Sequence, residues 1–282
     1  GIPFCLSTMA IGSLSHVGDA VSTPPMYQLY VFKDRELTRD MLRMASERKV
    51  PSLFLTVDAN VSGIRERDTR NGFRTATHLG LRPLIDLAMH PGWCLRMAPG
   101  GVPRLGNIDG RTDMGRGVMA QASRLSAQID PSLTWADVAW MRSEWKGRLV
   151  IKGILSVEDA RAAVAAGADA IVVSNHGGRQ LDGAASSIAQ LPAIAAAVGA
   201  QTEILLDSGI RRGSDIFKAL ALGADAVMIG RSFVYGLAAG GQRGVAKAID
   251  LLRAELDIAM ALSGVHTVAE IKQEGPRLVR HV

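Results

Sequence analysis

The sequence is short of several things, and each shortage excludes a class of protein. It has two cysteines, Cys5 and Cys94, far apart. A disulfide framework or a cysteine-ligated metal needs more of them at tighter spacing, so a stapled secreted scaffold is excluded and a reducing cytosol is expected. Aromatic residues make up only 5% of the chain, against 48% hydrophobic residues overall. Alanine, valine, isoleucine and leucine must therefore fill the interior, as where helices cover a parallel sheet. That hydrophobic fraction also excludes a disordered chain. No run of five or six like charges occurs, and Lys+Arg 32 against Asp+Glu 27 leaves a net charge of +5. The surface is thus ordinary, with at most a mild attraction for anionic substrates or membrane, and no nucleic-acid motif accompanies it. The opening residues, beginning at Gly1, lack the pattern of a secretory signal. The longest uncharged stretch, Gly183–Thr202, is interrupted by Gln190, Pro192, Gly199 and Gln201, so it reads as a turn and an alanine-rich helix, not a membrane span.

At 282 residues the chain could form one large domain or two small ones. A repeat favours one architecture. Asp159–Ser174 reads DARAAVAAGADAIVVS, and Asp215–Arg231 reads DIFKALALGADAVMIGR. Each has an aspartate at a helix start, an apolar-periodic segment, G-A-D-A and a short apolar run. Gly167 and Gly223 fit helix C-caps, and the runs after them suit strands buried on both faces. The offset of 56 residues between Asp159 and Asp215 matches about two β/α units of roughly 30 residues each.

The same scan predicts seven buried strands: Ile2–Leu6, Met26–Val31, Ser52–Val57, Leu149–Ile154, Ala170–Val173, Glu203–Leu206 and Ala226–Ile229. Polar residues follow or close each one: Ser7 and Thr8, Gln28 and Tyr30, Thr56 and Asp58, Lys152, Ser174 to His176, Asp207 and Ser208, Gly230 and Arg231. Polar groups at the C-terminal ends of parallel strands are expected of a (β/α)8 TIM barrel, although a doubly wound sheet also binds ligands there. Seven strands is one short of a closed barrel. Residues 62–146 lie between the third and fourth strands and read as a long loop or lid. Arg82, Arg96, Arg104, Arg111 and Arg116 in this interval read as solvated loop charge. Its tail turns helical, with Thr134 as N-cap and Asp137 three residues on.

Chemistry is concentrated in SNHGGRQLDG, Ser174 to Gly183. A strand end and a two-glycine turn present an imidazole, His176, and a guanidinium, Arg179, three residues apart. Histidine exchanges protons near neutral pH, and the arginine fork holds a carboxylate by two parallel hydrogen bonds. The pair suits a carboxylate substrate with a reactive C–H or O–H beside it. A structural role for a single histidine is the bland alternative, which this setting disfavours.

This segment resembles the signature of the FMN-dependent L-2-hydroxy-acid oxidase and dehydrogenase family, which includes glycolate oxidase, L-lactate dehydrogenase and L-mandelate dehydrogenase. The resemblance runs from Gly1 to about Ile271, through LST (Leu6–Thr8), QLYV (Gln28–Val31), TVD (Thr56–Asp58), GIRERD (Gly63–Asp68), VIKG (Val150–Gly153), DSGIR (Asp207–Arg211) and GR (Gly230–Arg231). IKGIL, SNHGGRQLDG and DSGIRRG are most similar to bacterial quinone-linked L-lactate dehydrogenases.

The resemblance implies a single FMN-binding TIM-barrel domain over residues 1–282, with strands 2–8 of the barrel represented. It implies oxidation of an L-2-hydroxy acid, L-lactate first, to the 2-keto acid, with electrons passing to a quinone or other acceptor. His176 is implied as the catalytic base at the substrate's α carbon, or as acceptor of the hydroxyl proton. Asp58 would stabilise its imidazolium. Arg179 would clamp the carboxylate, Tyr30 would bond the hydroxyl or keto oxygen, and Arg65 would add positive charge. Lys152 would sit at the flavin N1–C2 edge. Ser7, Gln28, Thr56 and Ser174 would meet the isoalloxazine, and Asp207 and Arg211 the ribityl chain and phosphate. Gly230 and Arg231 would complete the phosphate site. A homotetramer is implied, in the cytoplasm, with a peripheral contact on the cytoplasmic face of the inner membrane through the long loop, as in some members.

The family pattern has a further upstream stretch holding the first strand and a second substrate tyrosine, and Gly1 falls where its second strand begins. Met9 stands where glycolate oxidases tend to carry tryptophan. The alternatives are an inactive or flavin-binding-only fragment and an oxygen-using oxidase. An unrelated phosphate-binding barrel would have no reason to carry His176, Arg179, Tyr30 and Arg65 together.

Overall fold

The structure is a computed structural model that describes residues 1–64, 66, 70, 81–108, 110–115 and 117–279. Seven strands, β1 (Cys5–Ser7), β2 (Met26–Leu29), β3 (Ser52–Thr56), β4 (Arg148–Ile154), β5 (Ala170–Val173), β6 (Glu203–Leu206) and β7 (Ala226–Val227), occur along the described chain. They form one sheet in the order β1-β2-β3-β4-β5-β6-β7. Pairing is parallel in β1–β2, with Leu6 beside Tyr27, and from β4 to β7, with Ile171 beside Ile204. A doubly wound sheet reverses its order at a switch point, whereas a barrel adds each strand beside the last. The unbroken order therefore settles the fold class as the TIM-barrel type, with seven strands among the described residues.

The chain divides into two compact units, Gly1–Phe54 with Asn60–Leu133, and Leu55–Ala59 with Thr134–Val282. In the first unit, helix α1 (Leu14–Asp19) follows β1 and α2 (Arg35–Glu47) follows β2. The Asp34 carboxylate caps α2 by accepting from the N–H of Glu36 at 2.9 Å. Leu37, Met41, Leu42 and Ala45 form its buried stripe. Tyr27 of β2 is fully buried with its hydroxyl 3.5 Å from Met41 Sδ. Burial pushes that phenol above the usual tyrosine range, against the opposing effect of a Thr8 hydrogen bond.

Residues 62–146, expected to be a loop or lid, are largely helical where described. They contain α3 (Leu81–Met89), α4 (Pro91–Met97), α5 (Val118–Gln128) and α6 (Trp135–Glu144), with three short 3₁₀ turns. Leu105, Ile108, Met114 and Leu125 are buried, and the Leu105 N–H donates to the buried Gln121 Oε1 at 2.7 Å. Glycines and prolines at the joints obscure these helices in the sequence. Arg111 corrects the expectation of solvated charge. It is only partly exposed and pairs with Asp40 at 3.1 Å and Asp113 at 3.6 Å. Arg104 is exposed, as expected; Arg116 lies outside the described residues.

The second unit shows why the sequence repeats. Helices α7 (Val157–Ala165), α8 (Ser187–Val198) and α9 (Gly213–Ala221) alternate with β4 to β7. Gly167 and Gly223 take positive φ, 86° and 109°, immediately beyond the C-caps of α7 and α9. The aspartate of each G-A-D-A then locks the next strand's start to its neighbour. Asp169 donates N–H to Leu149 O at 2.9 Å and accepts from Leu149 N at 2.8 Å. Asp225 does the same to Ile204, at 2.7 Å in both directions. Helix α10 (Arg231–Leu262) kinks at Gly240–Gly241, and α11 (Val268–Leu278) packs Ile271 with Phe217 and Leu220 of α9.

Candidate active site

In the second unit, four strand ends bring together a histidine, two carboxylates and an ammonium. The Val57 N–H donates to Lys152 O at 2.9 Å, which fixes the segment after β3 against β4. Asp58 follows. Its Oδ1 lies 3.0 Å from His176 Nδ1, and the two side chains are only 14% and 19% exposed, so solvent screens the pair weakly. Asp58 Oδ2 is buried and has no hydrogen-bond partner among the described residues. With Nδ1 engaged by the carboxylate, Nε2 is the nitrogen left to exchange a proton with a ligand.

The loop carrying His176 is wound in an unusual conformation. His176, Gly177 and Gly178 all have positive φ, at 56°, 68° and 69°. Glycine adopts this region freely, whereas a histidine there is held by its surroundings. The His176 N–H donates to Ser174 Oγ at 3.1 Å, and the Gly178 N–H donates to Asn175 Oδ1 at 3.1 Å. Gln180 returns to the pair, donating from Nε2 to the Asp58 carbonyl at 3.2 Å.

Lys152, from β4, is mostly buried. Its Nζ lies 3.1 Å from Asp207 Oδ2 and donates to Ser174 Oγ at 2.9 Å. Ser208 Oγ donates to Asp207 Oδ1 at 2.8 Å. Asp207 is thus paired with Lys152, and Arg231 donates instead from Nη2 to the Gly177 carbonyl at 3.0 Å. Arg211 and Arg231 are exposed. Gly230 is the N-cap of α10 with no side-chain cap, and a Cβ placed at Gly209 or Gly230 would meet nothing within 4 Å. Two cations, open backbone and an uncapped helix start suit a phosphate, so these groups fit FMN's phosphate end.

The first unit carries its own strand-end cluster. Ser7 Oγ donates to Gln28 Oε1 at 3.0 Å and accepts from the Met9 N–H at 3.1 Å. Gln28 is buried and Tyr30, just past β2, is half-buried. Thr56 is buried at the end of β3, in the second unit, and Arg179 stands exposed three residues after His176. Arg65 lies outside the described residues.

Sequence reasoning gave no role to four supporting residues. Gly153 has φ 110°, and a Cβ there would lie 2.6 Å from Asp58 Cβ. The VIKG motif contained this glycine, so the signal was present and unread. Gln180 lay within SNHGGRQLDG and Ser208 within DSGIR. Asn107 had no local signal. In the first unit its Oδ1 accepts from Leu14 N at 2.7 Å, and its Nδ2 donates to Ser7 O at 3.3 Å and Thr8 O at 3.4 Å.

The family profile described as FMN-dependent dehydrogenase matches residues 1–278. An L-lactate dehydrogenase of Xanthomonas campestris pv. campestris (strain 8004) is 48% identical over 272 residues, 96% of this chain and 70% of that protein. An L-lactate dehydrogenase of Caulobacter vibrioides (strain NA1000 / CB15N) is 46% identical over 274 residues, 97% of this chain and 71% of that protein. Among solved structures, the monotopic membrane protein (S)-mandelate dehydrogenase superposes with a TM-score of 0.91 at 39% identity, covering 97% of this chain and 72% of its own. A mandelate oxidase with (S)-4-hydroxymandelic acid gives 0.80 at 39% identity, covering 97% and 70%. With a full-length profile match, relatives near half identity and a histidine–carboxylate pair at the strand ends, this chain belongs to the FMN-dependent dehydrogenase family, whose members are 2-hydroxy-acid oxidoreductases.

Proposed function

We propose that the protein oxidises L-lactate to pyruvate with FMN, passing the electrons to a quinone or another acceptor. The observation that carries the reading is the Asp58–His176 pair, which leaves His176 Nε2 for the substrate. The 48% identity to an L-lactate dehydrogenase favours lactate over a bulkier hydroxy acid. Bound FMN supplies the two-electron sink. His176 Nε2 takes a proton from the CH–OH unit, and Asp58 stabilises the resulting imidazolium. Arg179 clamps the carboxylate, Tyr30 bonds the substrate oxygen and Arg65 adds positive charge. Lys152, Ser174, Thr56, Ser7 and Gln28 hold the ring. Asp207, Arg211, Gly230 and Arg231 hold the ribityl phosphate.

The deciding experiment mixes purified protein, FMN and L-lactate without oxygen. Bleaching of the flavin is the expected result. No bleaching with L-lactate, while another L-2-hydroxy acid bleaches it, would remove lactate as the substrate. No bleaching with any such acid would leave a flavin-binding protein without turnover. Reoxidation by a quinone analogue faster than by air identifies a dehydrogenase over an oxidase. We read residues 1–282 as one FMN-binding domain, for which a single unfolding transition is expected.

We also propose a peripheral membrane contact through α3 and α4. Leu81, Met89 and Leu95 are 75%, 72% and 74% exposed, and Trp93 beside them is half exposed. Large apolar side chains on adjacent short helices suit an interfacial surface. No described helix is long and apolar enough to cross a membrane. The similar (S)-mandelate dehydrogenase is itself a monotopic membrane protein. The corresponding location is the cytoplasmic face of the inner membrane, and the expected assembly is a homotetramer, which light scattering reads directly.

A further inference from the structure

Ser208 occupies a backbone conformation that suits glycine. Its φ is 73°, and Gly209 follows at 93°. A non-glycine residue persists there only when its surroundings over-determine it. The compensation lies in its hydroxyl, which accepts from the N–H of Asn175 at 3.3 Å and of Gly177 at 2.9 Å and donates to Asp207 Oδ1 at 2.8 Å. One donor and two acceptor positions are all used. The two amides it holds flank His176, whose own N–H goes to Ser174 Oγ at 3.1 Å. Three consecutive amides, 175 to 177, are therefore held by two hydroxyls. Both hydroxyls are tied to one ion pair, Ser174 to Lys152 at 2.9 Å and Ser208 to Asp207. Ser187 Oγ fixes the other side by donating to the Asp207 carbonyl at 2.6 Å and the Ser208 carbonyl at 3.2 Å.

We infer that Ser208 is a positioning residue for His176. Its hydroxyl clamps the left-handed turn, so that the imidazole is presented to Asp58 on one side and to substrate on the other. This rests on the reading of His176 as proton acceptor and assigns part of its alignment to a residue whose hydroxyl is engaged by the turn amides and by Asp207. Because Lys152–Asp207 anchors both hydroxyls, the same ion pair that would face the flavin also sets the base.

The test compares Ser208→Ala with Ser208→Gly. Both remove the hydroxyl, but only glycine relieves the strained φ. Glycine should therefore melt above alanine. Turnover of the FMN-loaded protein with L-lactate should nevertheless fall alike in both, with kcat reduced about tenfold or more and KM changed less than about threefold, as for a misplaced catalytic group. The 15N shifts of His176 Nδ1 and Nε2, assigned with His176→Gln, should move in both variants with or without FMN. If glycine restores kcat along with stability, Ser208 is merely structural and the inference fails. If the unsubstituted protein does not turn over, the lactate reading falls separately. The shifts still decide the inference, since His176 resonances unmoved in both variants would overturn it.

Discussion

Asp58 can stand 3.0 Å from His176 because residue 153 has no side chain. An ideal Cβ at Gly153 would lie 2.6 Å from Asp58 Cβ, 2.7 Å from its Cγ and 2.9 Å from its backbone nitrogen. None of these atoms is the free end of a flexible chain, so the carboxylate would have to leave its position. The left-handed φ of 110° adds strain for any L side chain. One glycine in β4 thereby decides whether the base has its carboxylate partner.

Gly153→Ala should accordingly separate the pair. The expected result is a loss of about 1–3 kcal/mol of stability from overpacking and backbone strain, with flavin reduction slowed well beyond what that loss explains. Chemical denaturation and single-turnover reduction by L-lactate measure the two. Wild-type reduction rates would show that the loop absorbs the methyl group.

Asp58→Asn tests charge at nearly constant shape. The amide cannot stabilise an imidazolium, and it can favour the wrong tautomer of His176. Reduction should slow by about 10²-fold or more, by analogy with carboxylate-to-amide changes in histidine-based sites. Thermal stability should change little, since Oδ2 already lacks a partner among the described residues. A rate within a factor of about two of the parent would remove Asp58 from the mechanism.

Lys152→Met leaves the mostly buried Asp207 carboxylate without its cation. Removing one partner of such a pair costs about 1–3 kcal/mol, since the other is left poorly compensated. FMN affinity, read by fluorescence quenching, should fall as well. Adding Asp207→Asn should recover part of the stability without recovering the affinity. Recovery of both would mean that Lys152 serves only the fold.

Much of this site was legible because its signals are local. β5 and β6 carry the boundaries that their apolar runs predict, Ala170–Val173 and Glu203–Leu206, since a short buried strand is a contiguous hydrophobic segment. Gly167 and Gly223 mark helix ends for a reason intrinsic to glycine. His176 and Arg179 are visible because turn and chemistry share ten residues. The unread parts depend on distant partners. Asn107 finds Ser7 and Thr8 a hundred residues away, and Arg111 finds Asp40 only once the chain has folded. Gly153 shows the intermediate case, a glycine inside a legible motif whose need arises from Asp58, just past the end of β3.

Acid should loosen the first unit through Asp130. This mostly buried carboxylate is held below the usual aspartate range, chiefly by the Ser132 hydroxyl, then by the Ser132 N–H and by Arg35, which outweigh burial. A depressed folded-state pKa stabilises the protein above the unfolded value of about 3.9, and the contribution is lost as pH falls through the lower folded value. The melting temperature should therefore drop on acidification below about pH 4. Asp130→Asn should be less stable at neutral pH and show a shallower drop. An identical slope in the two proteins would assign the acid sensitivity elsewhere.

The exposed faces of α3 and α4 predict lipid binding with a particular dependence. An interfacial surface buries apolar area, at roughly 25 cal/mol per Å², and adds electrostatic attraction where lipids are anionic. The protein should float with vesicles containing phosphatidylglycerol, and Leu81→Glu with Leu95→Glu should release it. Raising salt should weaken a purely electrostatic association but leave the apolar part largely intact. Because both residues lie on the surface, flavin reduction by L-lactate should survive the double substitution. Flotation unchanged by the two glutamates would place any membrane contact on another face. Release accompanied by lost reduction would mean that these helices support the fold of the first unit.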